Sequence, residues 1–179
     1  MDYNFYIGLI GSLILVTGAA WPIEKVKHPV YSKKNWLFAI GNALMFTFAI
    51  LGYLSGGPIF FIFLQILIAI ATIMMMINVP DKYDVPIITI SGVALIIWSL
   101  YLFEGYNTVL FVLGLTGIGL GYALKMGTVR RNLALTLGSI LIAVFSFIEA
   151  SWIFFWLNTF FACFSGYYVV KLALEKKKA

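Results

Sequence analysis

The chain has 179 residues, 63 % of them hydrophobic and 11 % charged, with a mean hydropathy of +1.02 and a formal net charge of +5. A soluble domain cannot hide that much apolar surface, so the composition excludes a water-soluble enzyme or nucleic-acid-binding domain. It predicts an all-α integral membrane protein.

Seven apolar segments are long enough to cross a bilayer, which takes about 17–25 residues each. They run over 4–21, 36–54, 57–78, 86–103, 107–124, 132–149 and 151–172. The first has no basic residue before it and ends in the bulky Trp21-Pro22, which predicts a retained helix and not a cleaved signal peptide. Ser55-Gly56-Gly57-Pro58 separates the second from the third, and Asn78-Val79-Pro80-Asp81 the third from the fourth. Glu104-Gly105-Tyr106-Asn107, Lys125-Met126-Gly127 and Glu149-Ala150-Ser151 punctuate the rest. Cys163, the single cysteine, lies in an apolar run and is expected to be a packing residue.

The charges sort with this count. The first, third and fifth connections and the tail hold all twelve bases: Lys25, Lys27, Lys33, Lys34, Lys82, Lys125, Arg130, Arg131, Lys171, Lys176, Lys177 and Lys178. The opposite side holds Asp2, Glu104 and Glu149. The positive-inside rule then predicts a multi-pass protein of the cell (inner or plasma) membrane, N-terminus outside and C-terminus cytoplasmic. With the bases spread over short loops, the charge is an orientation signal and no nucleic-acid partner is expected.

Three landmarks occur twice in the same order. Phe5-Tyr6-Ile7-Gly8-Leu9-Ile10-Gly11 returns as Phe111-Val112-Leu113-Gly114-Leu115-Thr116-Gly117. Lys33-Lys34-Asn35 with Gly41-Asn42 returns as Arg130-Arg131-Asn132 with Gly138-Ser139, and Phe61–Gln65 returns as Phe154–Asn158. The repeats cover 4–78 and 107–172, the unpaired segment 86–103 joins them, and 173–179 is a basic tail. Three spans reverse direction, and one linker helix restores it. The expected fold is therefore two parallel three-helix bundles related by an axis along the membrane normal.

This three-plus-one-plus-three plan resembles the SWEET, PQ-loop and PnuC group of transporters. Pro22 followed by Lys25 and Lys27, then Ser32-Lys33-Lys34-Asn35-Trp36, is similar to the first-loop pattern of PQ-loop proteins. Asn42 and Gln65 fall where PnuC-type transporters carry an Asn in the second helix and a Gln in the third. The chain departs from the pattern at Ile23, where a Gln is expected, and the second repeat lacks the Pro. The resemblance implies a transporter fold and leaves the substrate open.

Polar side chains at membrane depth are costly and usually face a bundle interior or cavity. Asn42 and its mate Ser139, and Gln65 and its mate Asn158, are such positions. Amides donate and accept, which suits a hydroxyl- or amide-bearing solute. The alternative is that they tie helices together. Trp156, two residues before Asn158, is a candidate for stacking on a ring. Gly8, Gly11, Gly114 and Gly117 are expected to pack helices closely, and Pro22 to act as a hinge or a helix end. Nothing in the sequence resembles a metal cluster or a nucleophile–base pair, so neither an enzyme nor a cofactor or metal is expected. The predicted function is a facilitator moving a small polar uncharged solute, such as a sugar or nucleoside-like vitamin precursor, by alternating access. Its partners would be the solute, the bilayer and possible further copies of itself. The alternative is a receptor or complex subunit on the same fold.

Overall fold

The structure, a computed structural model, describes residues 3–22, 28–125 and 127–178. Lys25 and Lys27 of the first basic loop lie outside the described residues, as do the side chains of Lys177 and Lys178 in the tail. Among the described residues there are seven α-helices and one short 3-10 turn. The helices are α1 (Tyr3–Ala20), α2 (Lys33–Leu54), α3 (Phe60–Met76), α4 (Asp81–Tyr101), α5 (Tyr106–Ala123), α6 (Val129–Ile148) and α7 (Trp152–Lys178). The turn, η1, spans Pro29–Tyr31.

Every predicted segment is a helix, and most boundaries fall within three residues of expectation. The exceptions are informative. α4 begins at Asp81, five residues before the predicted start, so Pro86 lies inside it. Pro80 precedes the helix and Pro86 sits in its second turn, where only one or two intrahelical hydrogen bonds exist to be lost. α7 runs on through the basic tail to Lys178. α3 is only 17 residues long because Ile77-Asn78-Val79-Pro80 closes it, with Asn78 at φ 56°. At about 1.5 Å per residue α3 spans roughly 25 Å, under the roughly 30 Å of a bilayer core. The other six helices are long and apolar enough to cross a membrane.

The chain divides into two compact units, Met1–Asp84 and Val85–Ala179. In the first, α2 packs against both α1 and α3. In the second, α6 packs against both α5 and α7. Ile88, Gly92, Leu95 and Ser99 are buried along one face of α4.

Glycines set both hairpin seams. A methyl group built at Gly11 would lie 2.9 Å from Leu44 Cβ and 3.2 Å from Met45 N; one at Gly41 would lie 3.1 Å from Leu15 N. In the second unit, a methyl at Gly114 would lie 3.1 Å from Ile142 N, and one at Gly117 would lie 2.7 Å from Gly138 Cα. Such approach is what small residues permit where lipid, as apolar as the helices, offers no hydrophobic drive and packing must hold the pair. Around the seams lie buried side chains: Leu15, Met45 and Ala49 in the first unit, and Phe111, Ile118, Ile142 and Phe145 in the second. The rings of Phe111 and Phe145 meet at 5.3 Å.

The seams have a definite register. Gly11 meets Met45, Leu15 meets Gly41, and Gly18 meets Leu37 and Phe38. Gly114 meets Ile142, Ile118 meets Gly138, and Gly121 meets Leu135. By contact, then, Gly11 corresponds to Gly114, whereas the F-x-x-G-L-x-G match aligns Gly8 with Gly114. The seven-residue match is offset by about one helical turn from the packing. Helical packing repeats about every 3.6 residues, so a one-turn slip keeps glycine over glycine and is invisible to a short motif.

Candidate functional site

The basic landmark of each half closes a hairpin. Lys34 Nζ donates to Trp21 O at 2.8 Å and Ala19 O at 3.4 Å, and Arg131 Nε donates to Gly121 O at 3.1 Å. Both side chains rise from the first turn of the second helix onto the last carbonyls of the first. The last carbonyls of a helix lack intrahelical partners in general, and a cation there also complements the helix dipole. The adjacent amides act alike: Asn35 Nδ2 donates to Pro29 O at 3.0 Å and Asn132 Nδ2 to Thr128 O at 3.2 Å. Trp36 Nε1 donates to Val30 O at 2.8 Å, which pins η1 to α2. These landmarks are structural fasteners.

Asn42 is 5 % exposed on α2, and its Nδ2 donates to Thr72 Oγ1 on α3 at 2.7 Å. It joins two helices. Asn158 is 6 % exposed on α7, and its Nδ2 turns back to Phe154 O at 2.9 Å, within its own helix. The tie between α6 and α7 is made elsewhere, by Thr136 and Ser165, whose hydroxyl oxygens are 3.0 Å apart. Sequence reasoning missed Thr72 and Ser165. A signal was present: each lies seven residues after its half's amide, Gln65 or Asn158, which is two helical turns and the same face. Ser139 is buried on α6 beside the Gly138 seam.

Gln65 differs from the others. It is 2 % exposed on α3, and its Oε1 has no hydrogen-bond partner among the described residues. A buried amide oxygen left unpaired costs about 1–3 kcal/mol, so the position calls for an explanation.

Trp156 lies on a different face of α7 from Asn158. Two residues turn a helix by about 200°. Trp156 is 56 % exposed, with Trp152, Phe160 and Tyr167 along the same outward stripe, while Phe154, Leu157, Asn158 and Ser165 are buried. Pro22 is an exposed residue just beyond the end of α1 and so marks a helix end. Gly8 is buried on α1, one turn before Gly11.

A second polar pair was also missed. Asn107 Nδ2, in the first turn of α5, donates to Glu149 Oε1 at the end of α6, at 3.0 Å. Continued two turns, the α1–α2 register sets Asn4 opposite Gly52. Asn4 Oδ1 is buried without a partner, and a methyl group at Gly52 would meet nothing within 4 Å. No charged side chain is buried among the described residues, and no group of three or more His, Cys, Asp or Glu is placed to hold a metal there.

The fold and these residues define an all-helical protein whose long apolar helices suit a multi-pass membrane protein. Comparison with family models, curated proteins and solved structures finds no match.

Proposed function

We propose that this chain is a membrane transporter, a facilitator that moves a small polar uncharged solute by alternating access. The observation that carries the proposal is Gln65: a buried amide acceptor, without a protein partner, on a helix of a membrane-compatible bundle. Polar groups retained at such cost in apolar helices commonly mark a solute path.

The chain is read here as a duplicated three-helix unit joined by α4, the plan that resembles SWEET, PQ-loop and PnuC-type transporters. Four correspondences support duplication: the glycine seam registers, Lys34 with Arg131, Asn35 with Asn132, and Thr72 with Ser165. Two such units in parallel suit a rocking transporter. The basic loops are assigned to the cytoplasm. Uptake of labelled sugars, nucleosides and vitamin precursors into proteoliposomes tests the function. Uptake above empty vesicles for at least one solute is expected; uptake of none would overturn transport.

A further inference from the structure

We infer that solute recognition is one-sided: Gln65 of the first unit is the polar recognition group, it takes a neutral solute that donates an N–H or O–H, and the matching Asn158 is structural. The inference rests on the proposed transport function and adds to it a class of solute and a division of labour between the halves.

The two units differ in how completely they satisfy their own polar atoms. In the second, no fully enclosed side-chain nitrogen or oxygen among the described residues lacks a partner. Asn158 is closed onto Phe154 O, Ser165 onto Phe161 O at 2.6 Å, and Thr136 onto Asn132 O at 2.7 Å. The orphaned atoms all belong to the first unit: Asn4 Oδ1, Gln65 Oε1 and Asp84 Oδ1. Asn4 and Asp84 lie in the first turns of α1 and α4 and are only half-buried. Gln65 alone is fully buried, in the second turn of α3.

The local sequence explains why Gln65 stays open. Phe60, Phe61, Phe63 and Leu64, which precede it on α3, offer no side-chain hydrogen bond. Thr72, on the same face, stands two turns away, about 10 Å along the helix, and its hydroxyl accepts from Asn42. The fully enclosed atom left over, Oε1, is an acceptor, so its complement is a donor. No charged side chain among the described residues is as deeply buried as Gln65, so an ionic solute held there would lack an enclosed counter-charge. A neutral donor remains. The cost of the orphan is then the familiar exchange of stability for function.

The test combines stability and uptake in the full-length protein. Gln65→Leu, Asn158→Leu and Asn42→Leu are purified in nanodiscs, and solute-free melting is compared with wild type. Gln65→Leu removes an unpaired acceptor and is expected to raise Tm by about 2–4 °C. Asn42→Leu breaks the tie to Thr72 and lowers it. The same variants in proteoliposomes take up labelled glucose, ribose and uridine, each beside its fully O- and N-methylated form. Gln65→Leu is expected to lose uptake at least tenfold, Asn158→Leu to stay within threefold of wild type, and the methylated forms not to be carried. A Tm for Gln65→Leu that falls with that of Asn42→Leu would overturn the inference, as would loss of uptake in Asn158→Leu alone or equal carriage of methylated forms. If no variant and no wild type transports, transport itself fails. A raised Gln65→Leu Tm, with wild-type but not variant protein stabilised by the donor-bearing probes, would still support the recognition role of Gln65.

Discussion

Asn42 and Gln65 have similar side-chain chemistry and opposite situations. Asn42 spends its donor on Thr72, so its contribution is measurable as coupling between α2 and α3. In membrane bundles such bonds average roughly 0.6 kcal/mol and reach about 1.7 kcal/mol. The short 2.7 Å separation and the burial of both residues place this one in the upper part of that range. A double-mutant cycle of Asn42→Ala and Thr72→Ala, read by reversible unfolding in detergent, should return about 1–1.7 kcal/mol of coupling. Asn158 and Thr136 should give about zero, because Asn158 bonds only its own helix. The sequence could name the polar positions, since hydrophobic segments make every amide conspicuous. It could not assign their partners, because a partner sits across a helix seam and depends on register. Trp156 shows the same limit in another form. Two residues before Asn158, it stands on the outward stripe because positions two apart on a helix point nearly opposite ways.

At the scale of the helix pair, the seams rest on close backbone approaches that cannot yield to an added side chain. A methyl at Gly138 would lie 2.6 Å from Ile118 N and 2.8 Å from Gly117 C. A flexible side chain can move aside, but two helix backbones separate only by opening the seam. Gly138→Ala and Gly117→Ala should each destabilise by about 1–3 kcal/mol. Gly52→Ala, with open space around it and a small gain in helix propensity, should be neutral or slightly stabilising. Thermal melting of the three variants checks this, and equal losses at Gly52 and Gly138 would contradict the seam. Lys34→Gln and Arg131→Gln should each cost about 0.3–1 kcal/mol, from the loss of a cation near helix C-terminal carbonyls. The cost should shrink in high salt. Helix existence was legible because apolar runs, Pro and Gly punctuate this chain strongly. The start of α4 was not: the helix begins at Asp81, directly after Pro80, five residues before the predicted bound and ahead of the apolar run that marked it. The doubled landmarks were visible too, but their one-turn offset emerges only when glycines are matched by what they touch.

At the scale of the whole molecule, the number of membrane crossings depends on α3. Six helices are long enough on their own, and α3, with 17 residues, is about 5 Å short of a typical bilayer core. Ser55-Gly56-Gly57 before it and Ile77-Asn78 after it are compact turns that extend its reach, and local thinning accommodates a few ångströms at fractions of a kcal/mol per Å. The sorting expected from the positive-inside rule needs this crossing: without α3, Lys82, Lys125, Arg130, Arg131 and the tail would fall on the side opposite Lys33 and Lys34. A side-specific labelling experiment decides. In a Cys163→Ala background, single cysteines replace Ser55, Asp81 and Glu104. Seven crossings with the basic loops inside predict that an impermeant thiol reagent labels positions 55 and 104 in intact cells. Position 81 should react only after permeabilisation. If α3 does not cross, positions 55 and 81 will react together, and the two halves will then differ in their number of crossings. Parallel duplication requires an odd number of crossings in each half with one linker helix joining them, so that single result would remove the geometric basis for transport by alternating access, whatever the similarity of the seams.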